Sequence, residues 1–408
     1  MRRLFVVLLI TCVFPVRAMG ESSSLSLKEA LEMAHSLAPN VVLARQDTAI
    51  SQAERLKANR YPNPEAEFNI GPNFETLDEG GTKQGLYVSG SINQEIELWG
   101  KRKLRKQIAD DQISLSTIQE LITTNDVDEK IKILYAAIQR AEEKIILAQA
   151  NIDIAKRFVG TAQMKFEQNE APHADVLRAK MELARQQKSL VEEQNDLAVF
   201  QQQMNLILAR DLDISFKASD PFQVTSAPPP LEELIATAAQ RPEVQSVEVQ
   251  KKQNEKEIQL ANQEWKPNLK TSLWAEKDSP DTHFGPGVGM EIPLWYRNKG
   301  DVQAAKARQL KIAFQETYLG REIELEVRNK YLELRKIIQS LQVQKETIQN
   351  TGELFRTTFQ GYLEGKTDFL RFVETLQSVN AFKSEYYDTI FEYFVKKAEV
   401  ERAVGGSL

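Results

Sequence analysis

The chain of 408 residues is poor in the residues that build reactive centres. It has one cysteine, Cys12, and three histidines, His35, His173 and His283. Cys12 lies within the first 20 residues, so the rest of the chain holds no thiol for a disulfide, a thiolate metal site or a nucleophile. No two histidines stand at a metal-ligand spacing, and no glycine-rich phosphate loop opens a helix after a strand. The reading is therefore not an enzyme, with no catalytic, cofactor-binding or resident metal residues and no cofactor. Glycine (18) and proline (15) are too few for a fibrous or disordered chain. After residue 20 no apolar run approaches the roughly 20 residues of a membrane helix. Positive charge is in deficit as well, and a net charge of -6 argues against nucleic acid as a partner.

The first 20 residues follow other rules. Arg2 and Arg3 precede an apolar run from Leu4 to Val13, and Ala18-Met19-Gly20 fits a small-x-small cleavage site. Residues 1–20 read as a secretory signal peptide. Loss of Arg2, Arg3 and Arg17 takes the charge from -6 to -9.

What the chain does have is internal repetition. Gln94-Glu95-Ile96-Glu97-Leu98-Trp99 is echoed 196 residues later by Met290-Glu291-Ile292-Pro293-Leu294-Trp295. The same offset pairs Ile131 with Val327, Tyr135 with Tyr331, Ile152 with Ile348 and Phe166 with Tyr362. Upstream the offset is about 203, pairing Pro39 with Pro242 and Ala58-Asn59 with Ala261-Asn262. The expected division is a first repeat over 21–210, a linker over 211–230 ending in three prolines, and a second repeat over 231–408.

Each copy reads as two helices, a Pro/Asn corner, two strands and two long helices. In the first copy Leu86, Val88, Ile92, Ile96 and Leu98 alternate with Tyr87, Ser89, Asn93, Glu95 and Glu97, as in strands with one apolar face. The expected strands are 64–72, 84–98, 268–276 and 285–295. Then Val127, Ile131, Leu134, Ile138, Ala141, Ile145, Ala148, Ile152, Ala155 and Val159 step by 4 and 3, a heptad seam. A helix over 101–169 is roughly 100 Å long at 1.5 Å per residue. A polar break and a return helix follow in each copy.

Four strands cannot close a membrane barrel, which takes at least eight. The expected fold is therefore mainly α with a small β part. Long antiparallel coiled-coil helices form an α-barrel, and four strands enter a transmembrane β-barrel shared between chains. A periplasmic structural coiled-coil protein with two small sheets is the alternative.

With these residues in place the chain resembles the TolC-like outer-membrane efflux protein family. Glu97-Leu98-Trp99-Gly100-Lys101-Arg102 and Ile292-Pro293-Leu294-Trp295-Tyr296-Arg297-Asn298-Lys299-Gly300 are similar to stretches of its heavy-metal efflux (CzcC/CusC-like) branch. Trp99, and the pair Trp295-Tyr296, depart from the branch pattern. The resemblance implies a homotrimer in the outer membrane of a Gram-negative bacterium, with a periplasmic extension. It also implies outer-membrane lipid, a periplasmic adaptor and an inner-membrane RND-type pump as partners. The implied activity is a passive exit duct for divalent or heavy-metal cations, or for drugs or other small molecules.

The candidate residues follow from that picture. Asn169, Glu170 and Ala171, with Gly365, Lys366 and Thr367, occupy the turns where the family meets its adaptor. Asp175 and Asp368 are candidate tunnel-gate acids, and helix-start acids are the competing reading. Glu65, Glu67, Glu95 and Glu97 are candidate lumen acids. Trp99 and Trp295, at strand ends, suit an interface belt or core packing. Lys101, Arg102, Lys103, Arg105 and Lys106 read as a solvated helix start near the membrane.

Overall fold

The computed structural model describes residues 23–76, 82–224, 228–278 and 281–406. The expected signal peptide over 1–20 and the tip of the first hairpin lie outside the described residues. The strands are β1 (Ser23–Leu25), β2 (Glu65–Thr76), β3 (Thr82–Ile96), β4 (Phe216–Ala218), β5 (Leu269–Asp278) and β6 (Asp281–Met290). The helices are α1 (Leu27–Leu37), α2 (Pro39–Ala58), α3 (Lys101–Glu167), α4 (His173–Ile207), α5 (Leu231–Ala238), α6 (Pro242–Glu264), α7 (Lys299–Leu363) and α8 (Phe369–Val404). The expected class, mainly α with a small β part and long antiparallel helices, is the observed one.

Local chemistry sets the helix starts. Ser26 and Glu29 form a reciprocal capping box on α1. Pro39 and Pro242 open α2 and α6, where a missing N–H costs nothing. α3 is the hub, packing against α2, α4, α6 and α8. Its heptad residues Ile131, Ile138, Ala141 and Ala155 are fully buried.

β2, β3, β5 and β6 form one antiparallel sheet in that order. Residues opposite one another share a face. One face therefore gathers Ala66, Phe68, Ile70, Val88, Ile92, Leu273, Phe284, Val288 and Met290. The other gathers Glu65, Glu67, Asn69, Ser89, Ser91, Asn93, Ser272 and Glu276. The apolar face is open to the surroundings: Phe68, Ile70, Leu273, Phe284 and Val288 are all exposed. Among the described residues β2 and β6 have no partner on their outer sides.

Three expectations are corrected. The fourth strand runs over 281–290 rather than 285–295. The linker 211–230 is not merely a connector. Its residues 216–218 form β4, which pairs in parallel with β1, and Phe216 is buried. Asp220 accepts from the Leu27 amide at 2.7 Å and from the Tyr135 hydroxyl at 2.7 Å. Finally, the two hairpins superpose two residues away from their sequence echo. Ala66 faces Ile92 and its repeat mate Leu269 faces Met290, so Ile92 corresponds to Met290. The helix starts agree, because Gly100 and Asn298 are both left-handed N-caps before a lysine.

Candidate functional site

The polar face of the sheet places Glu65 and Glu67 in β2, both exposed. Glu95 lies on the same face, opposite Lys270, and accepts from the Asn268 amide at 2.7 Å. Lys270 in turn holds Glu291 at 2.8 Å. Trp274 shares this face and lies beside Gly285 and Gly287. A Cβ at Gly287 would stand 2.2 Å from the Ser272 hydroxyl, which would have to rotate away. Glu97 does not join the acids. It lies past the end of β3, its side chain is 5% exposed, and its carboxylate pairs with Arg105.

The basic run departs from a solvated helix start in the same way. Lys101 is 2% exposed. Its ammonium donates to the carbonyls of Lys266 at 2.7 Å and Glu264 at 3.2 Å. Arg102 lies 3.9 Å above the Tyr61 ring. The two tryptophans differ. The Trp99 indole N–H donates to the Pro267 carbonyl at 3.0 Å, whereas Trp295 is 96% exposed.

At the far end of the coils the two turns have one geometry. Asn169 has φ 60° and Gly365 has φ 73°. They are 196 residues apart and each follows its helix by two residues. The amides of Glu170 and Lys366 each reach back 2.8 Å to the carbonyl five residues earlier. Asparagine is among the few side chains that visit this region, so Asn169 does the work of a glycine. Ala171 and Thr367 complete the two turns, and Lys366 pairs with Glu364 at 2.6 Å.

The two candidate gate acids are not equivalent. Asp368 is the N-cap of α8 and accepts from the Arg371 amide at 2.8 Å. Asp175 lies inside the first turn of α4, 3.6 Å from Arg178. The repeat mate of Asp368 is Pro172, which caps α4 without a side-chain bond.

Sequence reading missed what stands behind the turns. Phe158 of α3, Tyr362 of α7, and Phe369 and Phe372 of α8 stack with centroids 4.9–6.2 Å apart. Phe355 and Phe359 extend the cluster. The Lys165 ammonium donates to the Tyr362 carbonyl at 2.9 Å and lies 4.6 Å from its ring. Burial, then the charge of Asp175, pushes the Tyr362 hydroxyl pKa up. Aromatic clustering across both repeats was the available signal.

Midway up the rods an ionic junction joins the same helices. Arg402 of α8 binds Asp126 at 2.5 Å and Glu243 at 2.8 Å. Arg241 binds Glu243 at 3.0 Å and Glu326 at 2.7 Å. Burial opposes the Glu243 charge, but the two guanidiniums outweigh it and hold the carboxyl down to about 2.

A sheet with one apolar and one polar face is thus set on rods with capped turns. Residues 235–405 match the outer membrane efflux protein family. Over 399 residues it is 23% identical to the cobalt-zinc-cadmium resistance protein CzcC of Cupriavidus metallidurans, covering 96% of this chain and 92% of that one. It is 23% identical over 280 residues to the nickel-cobalt-cadmium resistance protein NccC of Alcaligenes xylosoxydans xylosoxydans, covering 65% and 62%. Its fold is that of CusC, with a TM-score of 0.78 at 12% identity over 93% of this chain and 92% of that one. The Campylobacter jejuni outer membrane channel CmeC gives 0.79 at 14% identity, over 94% and 86%. The resemblance to TolC-like efflux proteins of the heavy-metal branch therefore holds over most of the chain.

Proposed function

We propose that this chain is one of three subunits of an outer-membrane exit duct. It passively conducts divalent or heavy-metal cations delivered by a periplasmic adaptor and an inner-membrane RND-type pump. The observation that carries this reading is the four-stranded sheet, with an exposed apolar face and two unpaired edges. Three copies supply twelve strands, enough to close a barrel whose apolar face meets lipid. The helices follow the same logic. Along α2, Leu43, Ile50 and Leu56 are exposed, and along α7, Leu310, Phe314, Tyr318 and Leu325 are exposed. Those two helices flank the row α2, α3, α6, α7, so the apolar stripes of neighbouring copies cover one another.

The metal assignment rests on the resistance relatives and on the acids Glu65, Glu67 and Glu95, which a lumen-facing wall presents to passing cations. The turns at 169–171 and 365–367 are the adaptor-contacting tips. Asp175 and Asp368 bring negative charge to the periplasmic end of the tunnel, where three copies form the gate. No described helix is long and apolar enough to cross a membrane.

The test is reversal potential in a salt gradient across a planar bilayer. Cation preference is expected, reduced in Glu65→Gln/Glu67→Gln. Anion selectivity of the unmodified protein at neutral pH would overturn the acidic-lumen reading. Loss of the gene should sensitise the host to zinc, cobalt or cadmium; sensitisation to organic drugs alone would replace the cargo.

A further inference from the structure

The chain contains one junction between repeats and leaves a second one half built. Inside the chain the far edge of the first repeat meets the near edge of the second. There β3 pairs with β5, Ile92 opposite Leu273, Gln94 opposite Thr271 and Ile96 opposite Leu269. α3 packs against α6. Lys101, the first residue of α3, buries its ammonium against the carbonyls of the corner before β5. The far edge of the second repeat has the same parts and nothing to receive them. Residues 291–294 correspond to residues 93–96 of β3, yet they form no strand. Ile292 and Leu294 are 71% and 70% exposed. Lys299, the counterpart of Lys101, is exposed and has no partner among the described residues. The corresponding near edge is β2, unpaired on its outer side, and the exposed corner 59–64 before it, which takes Arg102 over the Tyr61 ring and the Gln94 amide on the Pro62 carbonyl.

Resting on the reading that copies share one barrel, we propose that β2 of a second copy completes β6 in the register of the internal junction. Met290 then lies opposite Ile70 of the second copy, Ile292 opposite Phe68 and Leu294 opposite Ala66. Lys299 donates to carbonyls of the second copy's corner at Tyr61 to Pro64, as Lys101 does inside the chain. The register comes from moving each internal pair by its repeat offset, 198 for β3 and 203 for β5. Nothing in that operation knows about side chains, yet every pair on the outer face comes out apolar. On the inner face Gly289 meets Gly71 and Glu291 meets Asn69. A one-residue slip would set Met290 against Asn69 and Glu291 against Phe68, mixing the faces. Residues 291–294 become strand for the reason 93–96 already are, a partner on that side. Pro293 gives no N–H, so one ladder bond is missing at the rim.

Cysteine cross-linking tests the register. In a Cys12→Ser background, the double variant Met290→Cys/Ile70→Cys is oxidised in outer-membrane vesicles and run on a non-reducing gel. A ladder of linked chains is expected, at least fivefold stronger than from Met290→Cys/Phe68→Cys. The internal pair Ile92→Cys/Leu273→Cys should link within one chain and give no ladder. A ladder dominated by the 290/68 pair would overturn the register. No ladder from either pair, in protein that still extracts as an oligomer, would overturn the register and leave the shared barrel standing in another one. Extraction as a monomer would overturn both. Lys299→Met should lower the oligomer fraction several-fold without loss of the folded chain, and an unchanged fraction would overturn the lysine contact.

Discussion

The same pair of long-helix hairpins is joined twice, by different chemistry. Midway, Arg241, Arg402, Glu243, Asp126 and Glu326 bind α3, α6, α7 and α8 through charge. At the tips, Phe158, Tyr362, Phe369 and Phe372 bind α3, α7 and α8 through stacked rings. Charge pairs are directional and depend on protonation, so they fix the register of one rod against another. Stacked rings do not depend on protonation and need no single donor–acceptor line. A tunnel proposed to open at its tips is thus pinned where it must stay and cushioned where it must move.

The largest effect that would break this contrast is at the tips. Phe372 is fully buried at the centre of the cluster. Phe372→Ala should cost about 3–5 kcal/mol locally. Hydrogen exchange should then speed up at residues 155–180 and 355–375 while the middle stays protected; equal loosening throughout would merge the two junctions into one. Acid should do the reverse. Glu243 is depressed to about 2 from an ordinary value of 4.5. Its contribution is therefore fully present above pH about 4.5 and is lost as pH falls toward 2. The loss is on the order of 3 kcal/mol. Exchange measured stepwise below pH 5 should open the middle before the tips, and the opposite order would reverse the assignment. The smallest effect concerns the cap. Asp368→Ala removes the bond to the Arg371 amide and should cost about 1 kcal/mol, seen as fraying confined to the start of α8. A change in resting conductance well beyond such fraying would instead support the gate reading.

Much of this architecture was legible because it is periodic. The 4-3 seam from Val127 to Val159 and the alternation from Leu86 to Ile96 each repeat one physical instruction many times, and the duplication states it twice. The sites were less legible because they depend on single partners far away in sequence. Glu97 falls in the period of the polar-face set, yet Arg105 draws it inward. Lys101 reads as one of five basic residues, but two carbonyls some 160 residues later bury it. Asn169 hid its equivalence to Gly365, because the backbone conformation they share leaves no trace in composition. β4 was hidden by brevity, since three residues show no period.

β1 and β4 set a condition on folding. Leu25 lies beside Ala218, and the Leu27 amide is held by Asp220, so the first described residues wait for partners about 190 positions later. Closing a loop of that length has an entropic cost that grows only slowly with length. Until it closes, the α1 entry has only its own capping box to hold it. When Asp220 docks, the first repeat is clasped at once, and no residue of the second is needed. The closing of the first repeat is thereby written into a ribbon of six residues.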